Sequence, residues 1–344
     1  MSAQSFRISN RKVGDGQPVF IIAEVSANHR GKIETALSAI DAAAAAGADA
    51  VKFQHLIHDK IAAEPLSAFY TSAELPYEWT PQLIARAKER NILFLSTPFD
   101  LEAVDVLEAA DVPAFKVASY EMTDDVLLRY IAKKGKPVIL STGMAYLEEV
   151  AHAVDVIKKE GNSKIIVLHC VSLYPPKPED LNLKAIGTMR RELELPIGYS
   201  DHSAPESNAA ALGAVALGAC VIERHITDSQ EGGSNDDENS MTAAQFKRMA
   251  EEIRALEAAL SGSGVKEPVS APDRAVDEMK ERGTRRSLYA ARDIRAGEIL
   301  TEDMMITLRP VRGVEPKDLG QVVGKKVLHA IPARSAILRK DVEA

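Results

Sequence analysis

The chain has 344 residues, 46% of them hydrophobic and 27% charged, and its 42 Lys and Arg against 50 Asp and Glu leave a net charge of -8. This suits a large buried core, and the acidic balance argues against a broad nucleic-acid surface while leaving room for a local anion pocket. No run approaches the ~20 apolar residues of a membrane span, the opening MSAQSFRISNRKV has no signal-peptide core, and Cys170 and Cys220 both lie in apolar runs, so the expectation is a cytoplasmic protein with buried thiols and no membrane or nucleic-acid partner.

From residue 19 to about 260, short apolar runs alternate with longer amphipathic segments, the pattern of repeated strand-helix units. The predicted strands are VFIIAE (19–24), ADAVKFQ (48–54), ILFLST (92–97), AFKVAS (114–119), PVILST (137–142), KIIVLHC (164–170), PIGYSD (196–201) and CVIERH (220–225). Helical sequence follows them at 33–46, 81–90, 147–159 and 206–217. Eight such strands over this span match a (β/α)8 TIM barrel. A doubly wound open sheet is the alternative, but its site would draw on only a few strand ends, whereas here polar residues close nearly every strand.

Those strand ends carry Glu24, Lys52 and Gln54, Thr97, Lys116 and Ser119, Ser141 and Thr142, His169 and Ser172, Ser200 and His202, then Glu223 and His225. In a barrel they converge on one face, where the active sites of this fold sit. A single Ser or Thr there is as readily a helix cap. Lys52 and Lys116 are different, because a lysine inside an apolar strand is almost never buried without a partner. With Thr97, Ser119, Ser141 and Ser200 they form a candidate cradle for a phosphate or carboxylate. Gly14-Asp15-Gly16 precedes the first strand, so it is not a dinucleotide fingerprint.

His202 and His225, with Asp201 and Glu223 beside them, are the candidate metal ligands. Two histidines without cysteine leave positions open, which suits catalytic Mn²⁺ or Mg²⁺ and not a closed structural zinc site. Glu24 is either the ionic partner of Lys52 or Lys116 or a group that positions the reacting atoms, and both can hold together. The acidic stretch 227–240 is a solvated loop or, from its place after the eighth strand, a lid or sugar-hydroxyl binder. Residues 261–284 read as a linker with a helical stub at 274–282, and 285–344 as a second module of short strands with turns at Arg295-Ala296-Gly297 and Pro332-Ala333-Arg334. The expected domains are therefore 1–260 and 285–344.

In order, AEVSANH, DAVKFQ, STPFD, FKVAS, STGMA, LHCVSLYP, GYSDH and IERH resemble the sialic acid synthase family, which includes legionaminic and pseudaminic acid synthases. RRSLYAARDIRAGEIL, LRPVRG and VGKKV resemble the antifreeze-like (SAF) domain carried by those enzymes. The resemblance implies a TIM barrel followed by a small, mostly β domain, a domain-swapped homodimer, and condensation of phosphoenolpyruvate with the open-chain aldehyde of an N-acetylated amino sugar. It implies metal ligation by His202 and His225. Phosphoenolpyruvate would lie against Lys52, Thr97, Lys116, Ser119, Ser141, Tyr174 and Ser200, with Glu24 near the reacting centre. Glu223 and Asp236 would line the sugar side, and Arg309 would reach the sugar's N-acetyl group across the dimer.

Two departures stand out. Ser172 occupies a position that is asparagine in some members, and SNDDENS (234–240) replaces a GPDH-type loop. AEVSANH and KVASYE lean toward the pseudaminic branch, while LHCVSLYP and GYSDH also suit the legionaminic and sialic branches. A barrel synthase acting on a sugar phosphate and a non-catalytic sugar-binding homologue are the alternative functions.

Overall fold

The computed structural model describes residues 4–63, 73–228, 234, 236–262, 264 and 285–344. The chain divides into two compact units, Met1–Ser261 and Gly262–Ala344. Of the expected linker, residues 263 and 265–284, including the helical stub, lie outside the described residues, as do 229–233 and 235 of the acidic loop.

The first unit opens with a hairpin that the sequence reading did not anticipate, β1 (Ser5–Ile8) and β2 (Arg11–Gly14), paired antiparallel. Eight parallel strands follow: β3 (Phe20–Glu24), β4 (Ala50–His55), β5 (Leu93–Pro98), β6 (Phe115–Val117), β7 (Val138–Ser141), β8 (Ile165–Cys170), β9 (Ile197–Asp201) and β10 (Val221–Thr227). Each pairs with the next, and β10 also pairs with β3, which closes the sheet into a barrel and rules out the open alternative. A short strand β11 (Met241–Thr242) runs beside β10.

Helices α1 (Ile33–Ala45), α2 (His58–Ile61), α3 (Thr80–Glu89), α4 (Leu101–Ala109), α5 (Asp125–Lys133), α6 (Leu147–Lys159), α7 (Ala185–Leu193), α8 (Ala209–Ala216) and α9 (Ala243–Leu260) lie after the strands. Their starts are set locally. Asp100 accepts from the Ala103 amide at the head of α4, Asp124 from Val126 and Leu127 at the head of α5, and Thr242 with Gln245 forms a capping box on α9. Among the described residues no helix is long and apolar enough to cross a membrane.

Strand alternation explains how the barrel is filled. Phe20, Ile22, Ala50, Leu95, Ala114, Ile139, Ile166, Leu168 and Val221 point inward in the lower barrel and pack with Ile8 and Val13, so the hairpin plugs that end. Ile21, Ala23, Val51, Phe53, Val117, Leu140 and Val167, of the opposite parity, face the helices. The strands are buried on both faces, as parallel strands covered by helices must be.

Gly198 shows how full the interior is. A Cβ built there would lie 2.5 Å from Leu168 Cδ2 and 2.8 Å from the Val221 carbonyl oxygen. Gly198→Ala is therefore expected to destabilise the barrel by about 1–3 kcal/mol through overpacking, read as a lowered urea midpoint. An unchanged midpoint would contradict this account of the core.

The second unit holds an antiparallel pair, β12 (Ser287–Ala290) and β13 (Met305–Leu308), and isolated bridges such as Ile294 to Ile331 and Ile299 to Lys326. Both expected turns form. The Glu298 amide donates to the Arg295 carbonyl and the Ser335 amide to the Pro332 carbonyl, with Gly297 and Arg334 at positive φ. Leu288, Ile294, Leu300, Val327, Ile331 and Ile337 form this unit's own core.

Candidate active site

The inward parity that fills the lower barrel with apolar side chains continues to the C-terminal ends of the strands, where the residues become polar. Glu24, Lys52, Gln54, Thr97, Lys116, Ser141, Cys170, Ser200, Glu223 and His225 occupy those inward positions, and Ser119, Tyr174, His202 and Asp236 join them from the loops. Together they line a cavity of about 270 Å³.

Its floor is a buried charge cluster. Lys52 forms a close ion pair with Glu24 and lies 3.6 Å from Glu223, while its ammonium donates to Thr97 Oγ1 at 3.3 Å. Lys116 lies 3.6 Å from the other Glu223 oxygen and donates to Ser141 Oγ at 2.6 Å and to the Val117 carbonyl at 3.1 Å. Ser200 donates to Glu223 at 2.9 Å, and the Ser26 amide donates to Glu24 at 2.8 Å. Both ammonium groups are 3% exposed, so in water-poor surroundings they rely on these partners.

The two carboxylates compete for the same cations and end up with different affinities for protons. Burial pushes the Glu24 carboxyl up to about 7 against the pull of Lys52, and the charge on Glu223 pushes it the same way. Burial also works to raise Glu223, but Lys116, Lys52 and the Ser200 hydroxyl outweigh it and hold the group down at about 2. Burial lowers Lys116, with Lys52 adding repulsion, whereas for Lys52 the two carboxylates overcome burial and raise it.

The imidazoles face the same space. The His202 and His225 ring centroids are 5.4 Å apart, and the Tyr174 ring lies 4.2 Å from His202. His202 Nδ1 is 2.9 Å from the Val171 carbonyl oxygen, which can only accept, so Nδ1 carries a proton; burial works to lower this imidazole, but Cys170 and the Val171 carbonyl outweigh it and raise it. His225 Nδ1 is buried with no hydrogen-bond partner, and burial holds this imidazole down at about 4, hence neutral at pH 7. Two imidazoles facing one space suit a divalent ion that keeps open positions, with His202 giving up any proton on Nε2 when it ligates. Among the described residues no group of three or more His, Cys, Asp or Glu is arranged to hold a metal.

Alternation also removes several candidates. Thr142 turns outward and donates to the Leu168 carbonyl, and His169 bonds the Leu181 carbonyl; both line a neighbouring cleft. Ser172 belongs to that cleft too, with its buried hydroxyl unpartnered, so it does not line the main cavity as expected. Asp201, read as a neighbour of the metal pair, points away and pairs with Arg224. Cys170 and Cys220 are free and buried. Arg309 lies in the second unit, at a cis Arg309-Pro310 peptide bond. Asp236 comes from the acidic loop and accepts from the Ala27 amide at 3.4 Å.

Sequence reasoning missed Ser26, Ala27, Leu56, Ala73, Phe99, Ala118 and Tyr120, which complete the cavity wall. Their loop positions carried no periodic signal. Arg224 was also passed over, although a charged residue inside the apolar run CVIERH is the same signal that marked Lys52.

Residues 39–266 match the model of the NeuB family, and residues 285–343 match the SAF domain. The chain belongs to the NeuB family. It is 38% identical to the pseudaminic acid synthase of Campylobacter jejuni subsp. jejuni serotype O:23/36, covering 94% of this chain and 96% of that protein. Identity to the N,N'-diacetyllegionaminic acid synthase of Legionella pneumophila is 35%, covering 98% and 99% of the two chains. The crystal structure of the N-acetylneuraminic acid synthetase of Leptospira borgpetersenii, in complex with citrate, superposes with a TM-score of 0.74 at 36% identity, covering 80% of this chain and 96% of that one. This NeuB-family chain thus carries its buried charges and histidines in a TIM barrel, followed by a SAF domain.

Proposed function

We propose that this NeuB-family chain is a nonulosonic acid synthase that joins phosphoenolpyruvate to the open-chain aldehyde of an N-acetylated amino sugar, with release of phosphate, in the cytoplasm. The observation that carries the reading is one cavity holding two buried ammonium groups, Lys52 and Lys116, beside two imidazoles, His202 and His225.

Phosphoenolpyruvate takes over Lys52 and Lys116 from Glu24 and Glu223, with Thr97, Ser119, Ser141 and Ser200 as hydroxyl donors and Tyr174 closing the wall. Its methylene carbon attacks the aldehyde carbon, the carbonyl electrons move to oxygen, and that oxygen takes up a proton. Water adds to the cationic carbon left behind and loses one proton; the resulting hydroxyl loses its own proton as the bond from that carbon to the bridging phosphate oxygen breaks, so that phosphate leaves and a 2-keto acid remains. Glu24, poised near neutrality beside Lys52, orients that water. Glu223 and Asp236 face the sugar. His202 and His225 would hold Mn²⁺ or Mg²⁺, which supplies Lewis-acid polarisation of the aldehyde oxygen when bound. The small unit serves a domain-swapped homodimer in which the partner's Arg309 binds the N-acetyl group.

Purified protein given phosphoenolpyruvate, Mn²⁺ and either N-acetylmannosamine or a 6-deoxy diacetamido hexose should release phosphate. Folded protein that releases none with any of these sugars would overturn the reading, and binding without turnover would favour a sugar-binding homologue. A strict need for a phosphorylated acceptor would favour a sugar-phosphate synthase. The cavity speaks against the latter, because its described lining offers Lys52 and Lys116 as cations against three carboxylates, Glu24, Glu223 and Asp236.

A further inference from the structure

We propose that Arg224 is a positioning residue that sets the spacing of the two imidazoles, His202 and His225. The inference rests on reading those histidines as metal ligands. Arg224 lies between Glu223 and His225 in β10, and alternation turns it out of the cavity into the layer between barrel and helices, where it is fully buried.

There its guanidinium grips one short segment. It reaches Asp201 Oδ2 at 2.7 Å, donates to Ser203 Oγ at 2.9 Å, to the Ser203 carbonyl at 2.6 Å and, more weakly, to the Asp201 carbonyl at 3.4 Å. Asp201 Oδ1 in turn accepts from the Ser203 amide at 2.9 Å and from the Tyr199 hydroxyl at 3.3 Å. The residue between these two anchors is His202. One side chain of the strand that carries His225 therefore fixes the backbone on both sides of His202, while Val171 fixes its ring.

Stability alone is a weak reason for this arrangement. A fully buried ion pair is often replaced by apolar side chains of similar volume at no loss, and the Arg224 Nε still lacks a hydrogen-bond partner. Orientation of ligands by outer groups is the use that fits, since loss of such a group typically weakens metal binding about 10–100-fold.

The test is Mn²⁺ binding to the full-length protein, followed by electron paramagnetic resonance of free Mn²⁺ and by the metal-induced rise in melting temperature. Arg224→Met combined with Asp201→Asn removes both charges, at the cost of the donors to the Ser203 hydroxyl and carbonyl. This variant is expected to fold and to melt below the wild type without metal, and to bind Mn²⁺ about 10–100-fold more weakly at a temperature where it is fully folded. Arg224→Lys keeps the charge opposite Asp201 but loses the planar fork, and should fall between, about tenfold weaker. Wild-type Mn²⁺ affinity in both variants overturns the inference; if the double variant does not fold, wild-type affinity in Arg224→Lys alone overturns it. His202→Ala separates the two layers. If it abolishes Mn²⁺ binding while the Arg224 variants leave it intact, only the positioning role fails; if it leaves binding intact, the metal reading fails and the inference goes with it.

Discussion

Lys116→Met is expected to lower kcat/KM for phosphoenolpyruvate by about 10²–10³-fold, the usual cost of removing one preorganised donor from a water-excluded site. The fold should survive. Glu223 keeps Lys52 at 3.6 Å and the Ser200 hydroxyl at 2.9 Å, so no carboxylate is orphaned. The change leaves Lys52 alone against Glu24 and Glu223, and Glu24, already pushed up to about 7 by burial, takes up a proton to offset part of the lost charge. The melting temperature should therefore fall, less at low pH than at high pH, and the loss of kcat/KM should fall on phosphoenolpyruvate and not on the sugar. Steady-state kinetics with each substrate varied in turn decides it. A kcat/KM within a few-fold of wild type would remove Lys116 from the anion cradle.

His225→Ala is expected to weaken Mn²⁺ binding by on the order of 100-fold or more, since it removes one of two imidazole donors and not merely a supporting group. Phosphate release should collapse with it and should not return at millimolar Mn²⁺. Chelation of the wild type should stop turnover and remove the metal-induced rise in melting temperature while leaving the protein folded, because a two-histidine site with open positions does not hold the fold together. Isothermal titration with Mn²⁺ and a phosphate-release assay check both halves. Full turnover in the chelated wild type would take the metal out of the reaction.

The two lysines and two histidines were legible because each breaks a rule that is local in sequence. Lys52 sits in AVKFQ and Lys116 in FKV, and the interior period of two assigns them to the same side as the small or apolar Ala50 and Ala114. The same period, applied strictly, would have excluded Thr142 and His169, which lie one residue out of phase. Ser172 was beyond its reach. Past the end of a strand the alternation lapses, and the loop's path decides which cleft a side chain enters.

What the sequence determined by itself was the barrel, its eight strands and the polar character of their C-terminal ends, because hydrophobic periodicity and the cost of burying lone charges act within a few residues of chain. Only the tertiary structure decided that Glu24 and Glu223 share Lys52, that β1 and β2 plug the lower barrel, and that Arg224 ties the strand of His225 to the turn of His202. Each of these joins groups distant in sequence, and their spacing comes from barrel closure, where register and twist around the whole ring set which side chains meet.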